Sequence, residues 1–295
     1  MKNYDIIYIS SNIAFLLDCY INSFKCKELC IIDKDSNLGG AWQVSDARVH
    51  MQWVNDESYI KRINKDLSFV DTKYQLLGPL KHIKTLDNRK YTNHSIYHIN
   101  TGSNIFIQDL IDKIKLRPNI HIIQDTVKSI DNSNVYGMHT YKFKKLYLTN
   151  NISLDNYTNI NKRYKHLFIE VSSSRIDPLD VLIAEVSYYK SRTRDRLLDS
   201  LFFLLNVTNL YPSKPNTQYF SCRIKTDNFI KDFKAYLISN NITDEDVNIN
   251  VLEEDTYTQS RLQNFSSRKY RNVHYFTSMN YFKYLIKLNK LRNAY

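Results

Sequence analysis

Glycine and proline are scarce in this chain, with five of each among 295 residues. That excludes collagen-like and glycine- or proline-rich low-complexity architectures. It also sets a rule for tight turns: where the backbone must be left-handed, asparagine, aspartate or serine has to stand in for glycine. Cysteine is nearly as rare. Cys19, Cys26, Cys30 and Cys222 form no Cys-x-x-Cys pair and no metal spacing, so they are expected to be reduced core thiols of an intracellular protein. No apolar run approaches the roughly 18 residues of a membrane helix. The opening "MKNYDIIYIS" enters a strand pattern without a signal-peptide cleavage site, and the expectation is a soluble, cytoplasmic protein with no membrane span. Internal repeats are also missing.

What is present suits a folded protein. Hydrophobic residues make up 43% of the chain, enough for one large domain or two interleaved ones. The net charge of +11 comes from 41 Lys and Arg against 30 Asp and Glu. Such a balance permits nucleic-acid, phosphate or anionic-surface partners, although dispersed lysines also serve simply to solvate a surface. The densest basic segments, "SSRKYRNVHYF" and "KYLIKLNKLRNAY", interleave Tyr and Phe with Lys and Arg, a composition suited to stacking and phosphate contacts.

The first organised unit predicts a strand over Asp5 to Ile9, a turn over Ser10 to Asn12, a helix over Ile13 to Phe24 and a strand over Glu28 to Asp33. Two parallel strands joined by a helix form a βαβ crossover. A second block predicts a helix carrying Ile105, Ile107, Leu110, Ile111 and Ile114, then strands at "IHII" and "DTVKSID" and a hairpin at "VYGMHTYKFKKLYLTN". Beyond residue 156, strands are expected at "YKHLFIEVSS", "VLIAEVSYY", "TQYFSCRIK" and "VNINVLEED". Helices are expected at "RDRLLDSLFFLLNV" and "DNFIKDFKAYLISNNI". The end of the chain predicts a short strand followed by a helix.

"CIIDKD" places Asp33 and the adjoining Lys34 at the end of the second strand, and Gly39-Gly40-Ala41-Trp42 follow after a short loop. An acid at that place accepts hydrogen bonds from ribose hydroxyls in dinucleotide folds. The order of strand, turn, helix, strand, acid and double glycine resembles the flavin-binding superfamily that includes flavin amine oxidases, protoporphyrinogen oxidase, UDP-galactopyranose mutase and the Rab GDP-dissociation inhibitors. The resemblance implies an α/β fold with a Rossmann-like, FAD- or NAD(P)-binding domain discontinuous in sequence. That domain would comprise residues 1–55, 100–155 and 268–295, with an inserted α+β substrate or partner domain at 56–99 and 156–267. FAD is the implied cofactor. Ser10, Ser11 and Asn12 would meet its pyrophosphate, Asp33 and Lys34 the ribose side, Gly39, Gly40, Ala41 and Trp42 the diphosphate and ring, Val127 the adenine and Ser278 the phosphates near the final turn.

The departures are concentrated in the first turn. Aligned on the family's three glycines, this chain has Ser10, Asn12 and Phe15. Asn12 is expected to imitate glycine at positive φ. Phe15 must push the helix outward or find a pocket on the sheet. The helix N-terminus would still offer N–H groups and partial positive charge. No catalytic residue is identified. His50 follows the double glycine but is as readily a loop or capping residue. His94 and His98 are four apart, a metal spacing only on a helix, and "YTNHSIYHIN" predicts strand or loop, so no metal is expected. Ser172 to Arg175 predict a turn. Tyr188, Tyr189, Arg192 and Arg194 suit either an anionic pocket or a solvated helix face. Two functions fit: an FAD-dependent oxidoreductase-like protein of the amine oxidase or mutase type acting on a small molecule, or a non-catalytic scaffold that keeps the fold to bind protein or nucleic acid.

Overall fold

The computed structural model describes residues 2–40, 43, 53–54, 83–85, 97–98, 103–179, 181–183, 197, 200–208, 211–266 and 269–276. Strand β1 (Asn3–Ile9) leads through helix α1 (Ile13–Asn22) to β2 (Leu29–Asp33), and β1 and β2 pair in parallel. The short strands β3 (Trp53–Val54) and β5 (Tyr97–His98) pair with each other, and β4 (Ile83–Thr85) belongs to a larger sheet described below. Helix α2 (Ser103–Lys115) then feeds β6 (Ile120–Gln124). A meander of β7 (Ser129–Ile130), β8 (Asn134–Tyr136) and β9 (Thr140–Leu148) follows.

These strands build the first sheet, in the order β6-β2-β1-β9-β8-β7, and β15 (Val273–Tyr275) joins it beside β9. Five of its strands, β6, β2, β1, β9 and β15, run parallel. Their apolar runs are continuous because both faces are covered. Ile6, Tyr8, Leu29, Ile31 and Tyr147 pack toward α1 and α2, while Ile7, Ile9, Cys30, Ile32, Leu146 and Leu148 pack on the other side. In α2, Ile107, Leu110, Ile111 and Ile114 are buried at helical spacing, as the periodicity predicts.

The second sheet has the order β14-β10-β13-β12-β11-β4. It contains β10 (Asn159–Ser172), β11 (Val181–Ile183), β12 (Leu201–Asn206), β13 (Thr217–Ile224) and β14 (Asn248–Leu262). Helix α3 (Phe229–Ser239) buries Phe229, Phe233 and Leu237 in the same core as Leu167, Ile169, Val171, Phe220 and Cys222. Two expectations are corrected here. "LFFLLN" is a strand, not helix: a continuous apolar run carries no periodicity, and its pairing with β13 and β11 decides the matter. "DTVKSID" is strand only at Ser129–Ile130, since the Asp125 side chain ties that segment to the turn before β9. Cys19, Cys30 and Cys222 are buried and Cys26 half-buried, and all four are free thiols. No described helix is long and apolar enough to cross a membrane. Among the described residues no three His, Cys, Asp or Glu side chains are grouped to hold a metal.

A candidate dinucleotide site at the carboxyl edge of the parallel sheet

In an open parallel sheet, ligands bind beyond the carboxyl ends of the strands where the strand order reverses. From β1 the chain moves to β2 on one side and later returns to β9 on the other. The reversal therefore lies at the end of β1, at Ser10 to Asn12.

That turn is made without glycine, and not in the expected way. The positive φ belongs to Ser10, at +97°, and not to Asn12, which is extended at φ −62° and ψ 156°. Asn12 is instead the N-cap of α1: its Oδ1 accepts the Phe15 N–H at 3.1 Å, the usual work of an asparagine before a helix. The first-glycine position thus keeps glycine-like backbone with a serine in it, at the strain a side chain brings there. Ser10 is held in place by its N–H, donated to the Ile32 carbonyl at 2.8 Å.

Asp33 does structural work in the same place. One carboxylate oxygen accepts the Ser11 N–H at 2.6 Å and the other the Asp35 N–H at 3.1 Å. Each carboxylate oxygen can accept a further donor, and Asp33 is only half-buried, so a ribose hydroxyl still has an acceptor there. Lys34 is exposed, and its carbonyl accepts the Gln124 side chain. Buried Ser11 ties the first turn to the double glycine, its carbonyl and Oγ both accepting the Gly39 N–H at 3.1 and 3.0 Å.

The two glycines differ. Gly39 is buried at φ +99°, and a Cβ there would lie 2.6 Å from Ile107 Cγ1 of α2. Gly40 is exposed at φ +52°, and a Cβ there would meet no atom of the described residues within 4 Å. The first glycine is needed by the protein's own packing, while the second has no described residue against it.

Phe15 finds a pocket. It is fully buried, with its ring centroid 5.6 Å from Tyr8, 6.4 Å from Tyr147 and 6.1 Å from Phe276. Beneath α1, the Tyr8 hydroxyl donates to buried Asp18 at 2.7 Å, and the Asn22 amide donates to both. The N–H groups of Ile13 and Ala14 are taken by no described residue, as at any open helix N-terminus. Val127 is buried beside the end of β6, and no described residue takes its backbone N–H or C=O.

A residue the sequence reading missed is Asp125, just past β6. Its N–H donates to the Asp33 carbonyl, and its carboxylate accepts the Met138 and His139 N–H groups and the Tyr141 hydroxyl. Burial pushes this carboxyl up, but those donors outweigh it and hold it below the usual range. Gly137 is required beside it, since a Cβ there would lie 2.5 Å from the carboxylate. An acid following an apolar strand, as Asp33 does, was the available signal.

The structure thus brings Ser10, Ser11, Asn12, Asp33, Lys34, Gly39 and Gly40 together around one edge, with Val127 on the neighbouring strand's extension. Ala41, Trp42, Ser278, His50, His94, Tyr188, Tyr189, Arg192 and Arg194 lie outside the described residues. The expected turn at Ser172 to Arg175 is pinned by Asp246 and Asp244, which accept from Ser173 and Ser174.

No protein-family model matches the chain, and no curated protein matches it in sequence. Solved structures do resemble it in fold. A Pyrococcus furiosus protein superposes with a TM-score of 0.57 at 10% identity over 97% of both chains. The Rab GDI of Plasmodium falciparum gives 0.50 at 8% identity, covering 97% of this chain and 96% of its own. An FAD-dependent oxidoreductase from Pseudomonas aeruginosa gives 0.46 at 9% identity, covering 99% and 92%. At such identities the likeness is one of fold. The expected fold class, an α/β architecture with a Rossmann-like parallel sheet, is the one observed.

Proposed function

We propose that this protein holds FAD along the carboxyl edge of its parallel sheet and is an FAD-dependent oxidoreductase-like protein, of the amine oxidase or mutase type, acting on a small molecule. The observation that carries this reading is Gly40. Elsewhere among the described residues, asparagine stands wherever the backbone turns left-handed near φ +50° to +70°, at Asn151, Asn216, Asn241 and Asn264. Gly40 has the same backbone, at φ +52°, yet stays glycine with no atom of the described residues near its missing side chain. Close approach of a ligand accounts for that choice, where backbone angle and packing do not.

The surrounding groups fit the same cofactor. The Ile13 and Ala14 N–H groups at the start of α1 suit a pyrophosphate, Asp33 a ribose, and the open backbone of Val127 an adenine edge. FAD, when bound, supplies the two-electron chemistry, and the protein supplies position and electrostatics. Mixing the purified protein with excess FAD should produce flavin absorbance that remains with the protein through gel filtration, and a raised melting temperature. Gly40→Asn, which adds a side chain on a backbone that asparagine adopts elsewhere in the protein, should abolish both without unfolding the protein. A colourless protein whose melting temperature ignores FAD overturns the reading.

A second reading is a binding scaffold without chemistry. It is favoured by Asn12 and Ser11, whose side chains take the Phe15 and Gly39 N–H groups for the protein itself. Absence of FAD binding in a well-folded protein would leave this reading standing.

A further inference from the structure

Away from the dinucleotide edge, the parallel pairing of β15 with β9 puts a row of basic side chains on one face. The register matches Val273 with Leu146 and His274 with Tyr147, and the Leu146 N–H donates to the Asn272 carbonyl at 2.9 Å. Val273 and Leu146 point into the core on the far side. His274 and Tyr147 point the other way, toward the α1 side, with ring centroids 5.2 Å apart. Alternation along the strands brings Lys145 and Asn272 to that same face.

Nearer the carboxyl ends this face is filled by the rings of Phe15, Tyr147 and Phe276. Toward the amino ends of the strands no described ring continues that filling. A cavity of about 390 Å³ opens there, and Lys145, Arg271, Asn272 and His274 line it. The volume falls at the small end of ligand pockets, which run from about 300 to 1,000 Å³.

We propose that this cavity is a binding site for a small phosphorylated ligand, in which Arg271 and Lys145 neutralise the phosphate and Asn272 and His274 donate hydrogen bonds to it. The four described lining residues all carry donors, and no carboxylate is among them. An arginine beside a lysine is the pairing that suits a tetrahedral dianion: the guanidinium offers a planar fork of donors and the ammonium a compact charge. The His274 ring is held below its usual pKa, first by burial and then by the Lys145 ammonium, so it is neutral near pH 7. A neutral imidazole donates one hydrogen bond to a phosphate oxygen without adding charge repulsion to the empty site. The cavity size favours a phosphate ester of small-molecule dimensions over a bare anion, and its place at the amino end of the strands separates it from the dinucleotide edge.

The test is calorimetric titration of the full chain with inorganic phosphate, with glucose 6-phosphate, which shares no adenosine with FAD, and with a 5′-phosphorylated oligonucleotide. The glucose 6-phosphate titration is repeated on Gly40→Asn, Arg271→Ala and His274→Gln. Arg271 is exposed, and its variant should melt as the parent does. The expected result is saturable binding of glucose 6-phosphate, tighter than inorganic phosphate, with an affinity loss of roughly 10-fold or more in Arg271→Ala. His274→Gln should retain part of the affinity, because glutamine also carries a donor. Gly40→Asn should bind glucose 6-phosphate as the parent does, which separates this site from the FAD site. Equal affinity in Arg271→Ala and the parent overturns the proposal, as does loss of binding in Gly40→Asn. Oligonucleotide binding far tighter than glucose 6-phosphate, with a steep salt dependence, would reassign the surface to nucleic acid and overturn it too.

Discussion

Single residues decide the candidate site, and they do so through backbone angle. Ser10 occupies φ +97° with a side chain, a conformation that costs of order 1–3 kcal/mol outside glycine. Ser10→Gly should therefore raise stability by about 1 kcal/mol, the unfolded-state entropy of glycine offsetting part of the relief. A shift of the urea midpoint checks this; a lower midpoint would show that the serine hydroxyl matters more than the strain. Gly39 and Gly40 give a paired expectation. Gly39→Ala collides with Ile107 at a positive φ and should lose about 2 kcal/mol or more, whereas Gly40→Asn adopts a backbone the chain already gives to asparagine and should stay within about 0.5 kcal/mol of the parent. The double glycine was legible in the sequence as a motif. The division of labour within it was not, because it depends on α2, more than 60 residues further along the chain, lying against one glycine and not the other.

At the scale of the element, α1 shows how a phenylalanine in the first turn of a helix is accommodated against the sheet. A glycine at this place would let the helix pack closely on the sheet, and the sequence predicts either displacement or a pocket for Phe15. The pocket is built from Tyr8 on β1, Tyr147 on β9 and Phe276 after β15, three residues remote from one another in sequence, so local reasoning had no means of finding it. Phe15→Ala should cost about 3–5 kcal/mol by leaving a cavity in that cluster, read as a drop in melting temperature. Turn elements carry an acid dependence. Burial pushes the Asp125 and Asp131 carboxyls up, but their hydrogen-bond donors win: Asp125 is held below the usual range and Asp131 is lowered to about 2. A carboxyl depressed in the folded state contributes stability that is complete above its unfolded value and fades as pH falls toward its folded one. The protein should thus lose stability from about pH 4 downward toward pH 2, and Asp125→Asn should flatten that slope in acid titrations followed by circular dichroism.

For the whole molecule, two sheets with separate cores make two reporters available. Cys19 and Cys30 lie in the cores of the first sheet and Cys222 in that of the second. Burial raises all three thiols, Cys30 to about 12, and raises Cys26 less. In the native protein a thiol reagent should label Cys26 alone at an appreciable rate, and all four in denaturant. Rapid labelling of Cys222 before Cys19 and Cys30 would mean that the second sheet opens independently, and its reverse that the first does.

The sequence by itself determined the local elements of the first sheet: β1, α1, β2, α2 and β6 are strongly patterned, and alternation or helical period is a property of neighbouring residues. It also determined the presence of an acid and a double glycine after β2. Tertiary structure decided the rest. "LFFLLN" is a strand because β13 and β11 flank it, Asn12 is a cap because Ser10 has already made the turn, and Lys145, Arg271 and His274 share a cavity because β15 pairs with β9 across more than a hundred residues of chain. Pairing and packing between distant segments are collective choices of the folded chain, and no single stretch of sequence contains them.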